Sequence, residues 1–470
     1  MLAALAIFSI VSLPTGIDWG DDFAMYIHHA KNIAEGLPYT ATGYIYNPHN
    51  PGIGPAAYPP GYPLLLAPIY WRFGLDVQAM RFEIVAFLVA DVALIARLFW
   101  NQLGAPLTLM LVALVGFNPR VWELSSQILS DIPYLFFCLA ALLQILRLER
   151  DRSAITSMRA IVLGITCWLA YATRTAGLVL VATAVVSDLY VSRRLTRWSI
   201  TVVGVFAALA ILQRIIVGST DSYLDQLVLD PGSLRDVIVL NLKNYVLILA
   251  TLFGTESKDP VALALTFVCL TLGAIGFVRV ARRGPNALVT FSAIYTAVLI
   301  VWPNFQGVRF LLPLLPVYVF FVIRGTECLM QAGQPWMRAA AGVTAALIMA
   351  IFYANFYLHA YYGPIKDGAF ESSAQAMFAT IRQDTSADSV VVFVKPRALA
   401  LFTDRRSSAY FSPADASELI EYLRGINASY VVVGPMDVEW SNRYIVPDTR
   451  HFAPVWSNAR YTILQVHFET

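Results

Sequence analysis

Long apolar runs, separated by shorter polar segments, limit how this chain can fold more than any other feature. A helix that crosses a bilayer needs roughly 17–25 predominantly apolar residues. The two runs that flank Arg174 are either two short spans or one kinked passage. The pattern predicts an α-helical polytopic membrane protein with about eleven transmembrane helices. The runs cover approximately residues 2–17, 82–100, 105–118, 132–148, 159–173, 176–191, 199–217, 260–280, 286–302, 309–325 and 338–359.

The overall composition agrees with a membrane protein. Hydrophobic residues make up 58% of the 470 positions and charged residues only 14%. Soluble domains contain roughly 25% charged residues, which they need to cover their surface with polar groups. The net charge of +2 is too small for the basic footprint of a nucleic-acid-binding protein. We therefore expect membrane lipid, and no nucleic acid, among the partners.

The distribution of arginine predicts the sidedness, because cytoplasmic loops are rich in Lys and Arg. We take the N-terminal run as a first spanning helix, since it has no charged start and no cleavage site before the acidic segment. With a cytoplasmic N-terminus and an odd number of spans, the loop 18–80 and the tail from about 362 lie together on the opposite side. The loops assigned to the cytoplasm contain Arg147, Arg150, Arg152, Arg159, Arg193, Arg194, Arg197, Arg279, Arg282, Arg283, Arg324 and Arg338.

This pattern divides the chain into a membrane domain, residues 1–361, and an extracytoplasmic domain, residues 362–470. The membrane domain includes the first outer loop, 18–80. In that loop, helical spacing of apolar residues predicts an amphipathic helix over 22–35 that Gly36 ends. Residues 63–73 are apolar but too short to span, so we expect a second juxtamembrane helix there. A second outer loop, about 218–258, is predicted to contain an interfacial helix.

The tail differs in pattern from the membrane domain. Short β-rich segments at 389–394, 430–433 and 461–466 alternate with a helical pattern over 413–427. Such alternation is typical of layered α/β structure. The sequence therefore predicts a small C-terminal α/β domain outside the membrane.

Three acidic residues lie within five positions just after the first apolar run: Asp18, Asp21 and Asp22. One carboxylate can act as a general base toward a hydroxyl acceptor. Two together can hold a divalent cation through oxygen ligands. Alternatively, an aspartate caps the helix that follows. A cap explains one of the acids, but it does not explain a group of three.

Four basic residues outside the cytoplasmic loops are candidates for binding an anion. Arg174 and Arg309 lie at the outer ends of apolar runs, where a guanidinium can hold a phosphate or form an interhelical ion pair. Lys395 and Arg397 follow a predicted strand and either meet a phosphate or an acidic acceptor, or are surface charges.

Other polar residues have simpler interpretations. Asp131 fits a helix cap before Pro133. The adjacent His28 and His29 point in different directions on a helix, which favours a surface role.

Several of these segments resemble the GT-C superfamily of membrane glycosyltransferases, in particular the bacterial relatives of protein mannosyltransferases and of the aminoarabinose transferase of lipid A. No single motif is specific, and the resemblance rests on their order and topology over nearly the whole chain. The segments are Gly20-Asp21-Asp22 with Tyr26, Tyr58-Pro59-Pro60-Gly61-Tyr62-Pro63, Thr173-Arg174-Thr175, Arg309-Phe310-Leu311-Leu312-Pro313 and Lys395-Pro396-Arg397.

The resemblance implies an inverting transfer of one sugar from a polyprenyl-phosphate donor to an acceptor hydroxyl at the outer face of a bacterial inner membrane. It implies Asp22 or Asp21 as general base, and Arg174, Arg309 and Lys395 as binders of the donor phosphate. Asp22, four residues before Tyr26, fits the acidic motif best. The remaining expected substrate-cleft residues are Asp18, Tyr26, Tyr58 and Tyr62. The acceptor is a glycan, a lipid or a protein.

The sequence departs from the family pattern at two places. Many relatives have a second acid directly after the first, whereas Phe23 follows Asp22 here. Some relatives carry a phosphate-binding lysine at the position of Tyr58. The resemblance implies no required cofactor and no fixed metal site, with a divalent metal at Asp21 and Asp22 left open because some relatives use one.

A second function class is a non-enzymatic polyprenyl-lipid flippase or a polysaccharide transporter. Transporters place charged groups near the membrane midplane, and Glu83, Asp91 and Arg97 lie in or near the second apolar run. The clustering of polar residues at one surface, beside a soluble domain, favours the enzyme.

Overall fold

The computed structural model describes residues 1–150, 156–218, 231–284, 286–305, 307–330 and 335–468. Contacts divide the chain into two compact units. The helical unit consists of Met1–Leu13, Arg81–Ile216 and most of the chain from there to Tyr362. The loop–tail unit consists chiefly of Pro14–Met80 and the chain from Gly363 onward.

Most of the described residues are helical. In chain order the α-helices are α1 (Leu2–Val11), α2 (Asp22–Glu35), α3 (Gly61–Phe73), α4 (Val77–Gly116), α5 (Pro119–Ser125), α6 (Asp131–Arg150), α7 (Ser157–Thr173), α8 (Leu178–Ser192), α9 (Arg197–Val217), α10 (Pro231–Ala250), α11 (Pro260–Ala281), α12 (Ala287–Val301), α13 (Leu315–Leu329), α14 (Pro335–His359), α15 (Ser372–Asp384), α16 (Pro396–Thr403), α17 (Ala416–Gly425) and α18 (Val438–Tyr444). Short 3₁₀ turns cover Pro51–Ile53, Thr175–Gly177, Thr251–Phe253 and Gly307–Leu311.

The helical unit contains the membrane-spanning segments, which confirms a polytopic membrane protein. Within the described residues, 6 helical segments are long and apolar enough to cross a bilayer: Asp131–Arg150, Thr175–Ser192, Arg197–Val217, Leu234–Phe253, Pro260–Ala281 and Gly342–His359. Shorter apolar helices cover Leu2–Val11, Ser157–Thr173 and Ala287–Val301. The expected total of about eleven spans stays a prediction.

One of these segments lies where the sequence suggested an outer loop. Leu234–Phe253 is a helical segment of 20 residues with the length and hydropathy of a membrane span, although Asp236 and Lys243 interrupt its apolar pattern. An additional crossing reverses the side of every later loop in a simple alternation, so the span count alone does not set the sidedness. Residues 219–230 of the expected loop, and Arg152, lie outside the described residues.

Two breaks in the helical unit coincide with ambiguities in the sequence. α4 covers two of the predicted apolar runs and is interrupted at Gly104, whose φ of 74° is readily adopted by glycine. The chain also leaves the helix at Arg174, which has extended backbone angles between α7 and the turn Thr175–Gly177. The runs on either side of Arg174 are thus two separate helices.

α11 and α13 pack with their backbones in contact. A Cβ atom added at Gly276 would lie 1.9 Å from the carbonyl oxygen of Phe321, and one added at Gly325 would lie 1.9 Å from that of Leu272. Only glycine permits this approach, and small residues are a common basis of helix association in membranes. This pair is therefore a close-packed part of the helical unit.

The loop–tail unit is built on a six-stranded sheet in the order β1-β3-β2-β4-β6-β5. β1, β3, β2 and β4 are parallel neighbours, and β4, β6 and β5 are antiparallel. Leu419, Leu423 and Trp440 of α17 and α18 pack with Val392 and Val431 in its core. The strands are β1 (Tyr44–Ile45), β2 (Val390–Val392), β3 (Arg406–Ser408), β4 (Ala428–Val433), β5 (Phe452–Ser457) and β6 (Thr462–Val466).

The first outer loop groups with the tail in this unit. Its strand β1 pairs with β3, so Tyr44 lies opposite Ser407. By contacts, Pro14–Met80 belong with the chain from Gly363 onward. The division into a membrane domain, 1–361, and an extracytoplasmic domain, 362–470, stays a prediction. Backbone pairing between distant segments, such as β1 with β3, leaves no local pattern in the sequence.

Candidate active site

Asp21 is buried and holds the start of a helix from the tail. Its Oδ1 accepts a hydrogen bond of 3.1 Å from the backbone N–H of Ala398 in the first turn of α16. The backbone of Asp21 is in the left-handed region, with φ 66°, a conformation that non-glycine residues adopt at some cost. Its side chain makes no capping hydrogen bond to α2, the helix that follows it. Asp21 therefore caps α16, not its own helix.

Asp22 begins α2 and is more accessible than Asp21. Its side chain is 25% exposed, against 6% for that of Asp21. Its Oδ1 accepts a 2.7 Å hydrogen bond from the Tyr58 hydroxyl and one of 3.0 Å from Nη1 of Arg397. The same Nη1 also donates to the Tyr58 hydroxyl. Asp22, Tyr58 and Arg397 thus form a closed triangle of polar contacts.

Arg397 is the cation of this site and is almost fully buried, with a side chain 2% exposed. It lies in the first turn of α16, one residue after Pro396. Its guanidinium carbon is 5.1 Å from the ring centroid of Tyr44 and 4.9 Å from that of Tyr58. Its Nε is 3.8 Å from Oδ2 of Asp21. The guanidinium therefore contacts both aspartates and two aromatic rings.

The position of Tyr58 is fixed by hydrogen bonds to its backbone. Tyr39 donates from its hydroxyl to the Tyr58 carbonyl at 2.6 Å, and the Tyr58 N–H donates to Nε2 of His29 at 3.4 Å. The other ring nitrogen of His29, Nδ1, lies 2.7 Å from the Tyr39 carbonyl oxygen, so it carries the proton. Burial lowers the pKa of His29 to about 3, which keeps the ring neutral.

The predicted surface role of the two histidines is wrong. His28 is 7% exposed and His29 is fully buried, because α2 packs against both α3 and α16. Burial also lowers the pKa of His28, to about 4. The two adjacent side chains point in different directions, as expected for a helix, but both directions face protein.

The other residues predicted for the cleft occupy different places in the unit. Tyr26 packs edge-on against Tyr58 and Tyr62, with centroid distances of 4.9 Å in both cases. It therefore helps to hold the ring of Tyr58 in place. Asp18 accepts a 3.0 Å hydrogen bond from the Gly20 N–H in a local turn. Lys395 is partly exposed at the start of α16, and its charge acts on Asp21 more weakly than that of Arg397.

A second charged cluster lies in the helical unit. The buried Asp131 accepts a hydrogen bond from Arg174 at 2.5 Å through Oδ1, and Arg309 contacts its Oδ2 at 3.1 Å. The guanidinium of Arg174 lies 5.1 Å from the ring centroid of Phe310. The prediction that Asp131 serves simply as a helix cap misses this role, because its carboxylate joins two guanidinium groups.

The residues at Asp21 and Asp22 do not fit a divalent metal. No group of three or more metal-ligating side chains occurs among the described residues. The position between the two carboxylates is next to the guanidinium of Arg397, and one oxygen of each aspartate already accepts a hydrogen bond. A hard cation such as Mg²⁺ requires several free oxygen ligands.

Comparison with known proteins finds similarity in structure alone. No family model matches the chain, and no curated protein sequence matches it. The oligosaccharyltransferase AglB from Archaeoglobus fulgidus, in a complex with Zn and sulfate, aligns with a TM-score of 0.62 at 13% identity, over 96% of this chain and 71% of AglB. ArnT from Cupriavidus metallidurans, bound to undecaprenyl phosphate, aligns with a TM-score of 0.54 at 12% identity, over 99% and 97%.

A third similar structure is the arabinofuranosyltransferase AftD from Mycobacteria, with a TM-score of 0.51 at 12% identity, over 100% of this chain and 41% of AftD. All three neighbours are GT-C superfamily members. The chain thus has the GT-C fold that the sequence resemblance predicted. At these identities the likeness concerns the fold, and the roles of individual residues have to be argued from the site.

Asp21→Asn should remove a pH-dependent loss of stability. Burial raises the pKa of Asp21 from 3.8 to about 6, partly offset by Arg397 and the Ala398 N–H. The folded protein therefore binds this proton more tightly than the unfolded chain. The folding stability that this proton contributes is complete below about pH 4 and is lost as the pH rises through about 6. A pKa shift of this size corresponds to about 3 kcal/mol of folding free energy.

The melting temperature measured between pH 4 and pH 7 checks this. We expect wild type to lose stability relative to Asp21→Asn over this interval. Parallel pH curves for the two proteins would contradict the assigned environment of Asp21.

Proposed function

We propose that this protein is a glycosyltransferase that moves a single sugar from a polyprenyl-phosphate donor to an acceptor hydroxyl, with inversion at the anomeric carbon. The observation that carries the proposal is the partly exposed Asp22 carboxylate, held by Tyr58 and Arg397 in a chain with the GT-C fold. AglB has been solved with dolichol-phosphate and ArnT with undecaprenyl phosphate, which supports a lipid-phosphate donor.

Asp22 is a better general base than Asp21 because it is accessible. A pKa near 6 would suit a general base at neutral pH, and that of Asp21 is about 6. However, Oδ1 of Asp21 is occupied by the cap on α16 and its side chain is 6% exposed. A base must come within hydrogen-bonding distance of the acceptor proton, and of the two aspartates Asp22 is the more open to an incoming hydroxyl.

The chemistry follows from these roles. The acceptor O–H gives its proton to the Asp22 carboxylate while its oxygen forms a bond to the anomeric carbon. The bond from that carbon to the phosphate oxygen breaks on the opposite side, and polyprenyl phosphate leaves with both electrons. Asp22 then returns the proton to water. Tyr58 and Arg397 hold Oδ1 throughout and fix the direction of the carboxylate, which is the benefit of a preorganised site.

The Arg174–Asp131–Arg309 cluster is suited to the leaving phosphate. Two guanidinium groups contact the carboxylate of Asp131 in this cluster. Guanidinium groups bind phosphate through paired hydrogen bonds, and positive groups stabilise the charge that the phosphate gains. We assign Arg174 and Arg309 to the donor phosphate, with Lys395 as a further candidate in the loop–tail unit.

The proposed location is a bacterial inner membrane, with the site and the tail on the periplasmic side. A polyprenyl tail stays in the bilayer while its sugar reaches water, which places transfer at the membrane surface. The arginines at the α6–α7 and α8–α9 connections, which precede the additional segment Leu234–Phe253, support this orientation. The acceptor class is a glycan, a lipid or a protein.

One observation favours the alternative of a lipid or polysaccharide transporter. Asp91 of α4 is fully buried, and neither of its carboxylate oxygens has a hydrogen-bond partner among the described residues. A buried acid inside a membrane helix often has a functional role. A lipid-transport assay that compares wild type with Asp91→Asn distinguishes the two classes. A transporter should move lipid in wild type and lose this activity in Asp91→Asn, whereas a glycosyltransferase needs no transport activity.

Substitution of the two adjacent aspartates, Asp21 and Asp22, tests the assignment of the base. With purified protein and a panel of polyprenyl-phosphate sugars, Asp22→Asn should slow transfer by about 10²–10⁴-fold, the usual contribution of a general base. Asp21→Asn should retain much more activity, because an amide oxygen can still accept from the Ala398 N–H. Glu35→Gln, at the exposed end of α2, is the control and should behave like wild type. Wild-type rates for both Asp21→Asn and Asp22→Asn would contradict the assignment.

Arg174→Gln and Arg309→Gln should each weaken binding of undecaprenyl phosphate. Each substitution removes one guanidinium that we assign to the phosphate. A hydrogen bond to a charged group contributes roughly 1.5–3 kcal/mol, so Kd should rise about tenfold or more. Calorimetric titration of the lipid in detergent measures this. Arg324→Gln is the control, because Arg324 pairs with Glu327 at 2.6 Å. Equal affinity in all four proteins would exclude Arg174 and Arg309 as phosphate binders.

A further inference from the structure

A cation from the tail is in contact with both aspartates of the first loop. Nη1 of Arg397 is 3.0 Å from Oδ1 of Asp22, and Nε is 3.8 Å from Oδ2 of Asp21. These are the two carboxylates that the sequence offered as ligands of a divalent metal. The guanidinium therefore supplies a positive charge where a metal ion would supply one.

The surroundings of Arg397 suit an organic cation better than a hydrated metal ion. Its guanidinium lies about 5 Å from the ring centroids of both Tyr44 and Tyr58, a distance at which aromatic faces attract cations. A planar guanidinium tolerates such walls, since it is weakly hydrated. Mg²⁺ or Mn²⁺ instead needs oxygen ligands around it and retains several waters. Aromatic rings provide neither oxygen ligands for the ion nor hydrogen-bond acceptors for those waters.

The charges lead to the same conclusion. Two carboxylates and one guanidinium leave at most one negative charge at the site. A divalent ion added beside Arg397 would bring three positive charges against two negative ones, within a buried environment where like charges repel strongly. Metal binding would thus require Arg397 to leave its contacts with Asp22 and Tyr58.

We propose that Arg397 is the resident cation of the acidic site: it takes the place of a divalent metal and orients Asp22 for sugar transfer. Its role is that of a positioning residue that acts through Asp22. The part that concerns transfer rests on the proposed function, whereas the part that concerns the cation does not.

Manganese binding tests the cation directly, with MnCl₂ as the probe and the full-length protein in detergent. Electron paramagnetic resonance of free Mn²⁺ counts the bound ions. Wild type should show no Mn²⁺ site that depends on Asp22. Arg397→Ala removes the guanidinium from both carboxylates and should gain a Mn²⁺ site, with at least tenfold tighter binding than wild type. Arg397→Ala combined with Asp22→Asn should lose it again.

Arg397→Lys keeps a positive charge and should not gain the Mn²⁺ site, which separates the effect of charge from that of altered structure. Melting temperatures show whether each variant is folded, and the wild-type and Arg397→Lys results stand even if Arg397→Ala unfolds. A wild-type Mn²⁺ site that Asp22→Asn abolishes would overturn the proposal. Folded Arg397→Ala protein without any gain in Mn²⁺ binding would also overturn it.

A transfer assay in EDTA completes the test. Transfer by wild type should change less than twofold when EDTA replaces divalent ions, and a loss that Mn²⁺ restores would contradict the proposal. If no donor supports transfer, the proposed function fails, but the Mn²⁺ titration still decides whether Arg397 is the resident cation.

Discussion

The contact between Arg397 and Asp22 is the interaction on which the rest of the candidate site depends. It joins residues 375 positions apart, and the hydroxyl of Tyr58 completes it. Around it, Asp21 caps α16 and β1 pairs with β3, so the same docking of loop on tail is secured at three places. Removing one partner of a buried ion pair typically costs about 3–5 kcal/mol. The tail is thus a structural part of the acidic site.

The two charged clusters differ in composition, each inside its own unit. In the loop–tail unit, two aspartates contact one guanidinium, and in the helical unit two guanidinium groups contact Asp131. Carboxylates are suited to accept a proton, and guanidinium groups are suited to hold a phosphate. The proposed transfer of a sugar from a lipid phosphate requires both kinds of group.

Local patterns in the sequence predicted much of this architecture. The helix over 22–35 ends before Gly36 as predicted, with Gly36 in the left-handed conformation, and the three expected tail strands are present. The strands β1 and β3 are not evident in the sequence, because they are too short to show a pattern and depend on distant partners. The span-like character of α10 is not evident for a different reason, because its charged residues conceal its apolar pattern. The motif Lys395-Pro396-Arg397 is visible in the sequence, but a sequence does not show that Arg397 is its buried member, since that burial comes from packing against the first loop.

An experimental map of the acidic site would show directly whether Arg397 or a metal ion occupies it. We suggest cryo-electron microscopy of the protein in nanodiscs, with MnCl₂ in the buffer, at a resolution that shows side chains. We expect density for the Arg397 guanidinium against Asp22 and the Tyr58 hydroxyl, with no ion between Asp21 and Asp22. An ion coordinated by both aspartates, with the side chain of Arg397 turned away from them, would contradict it.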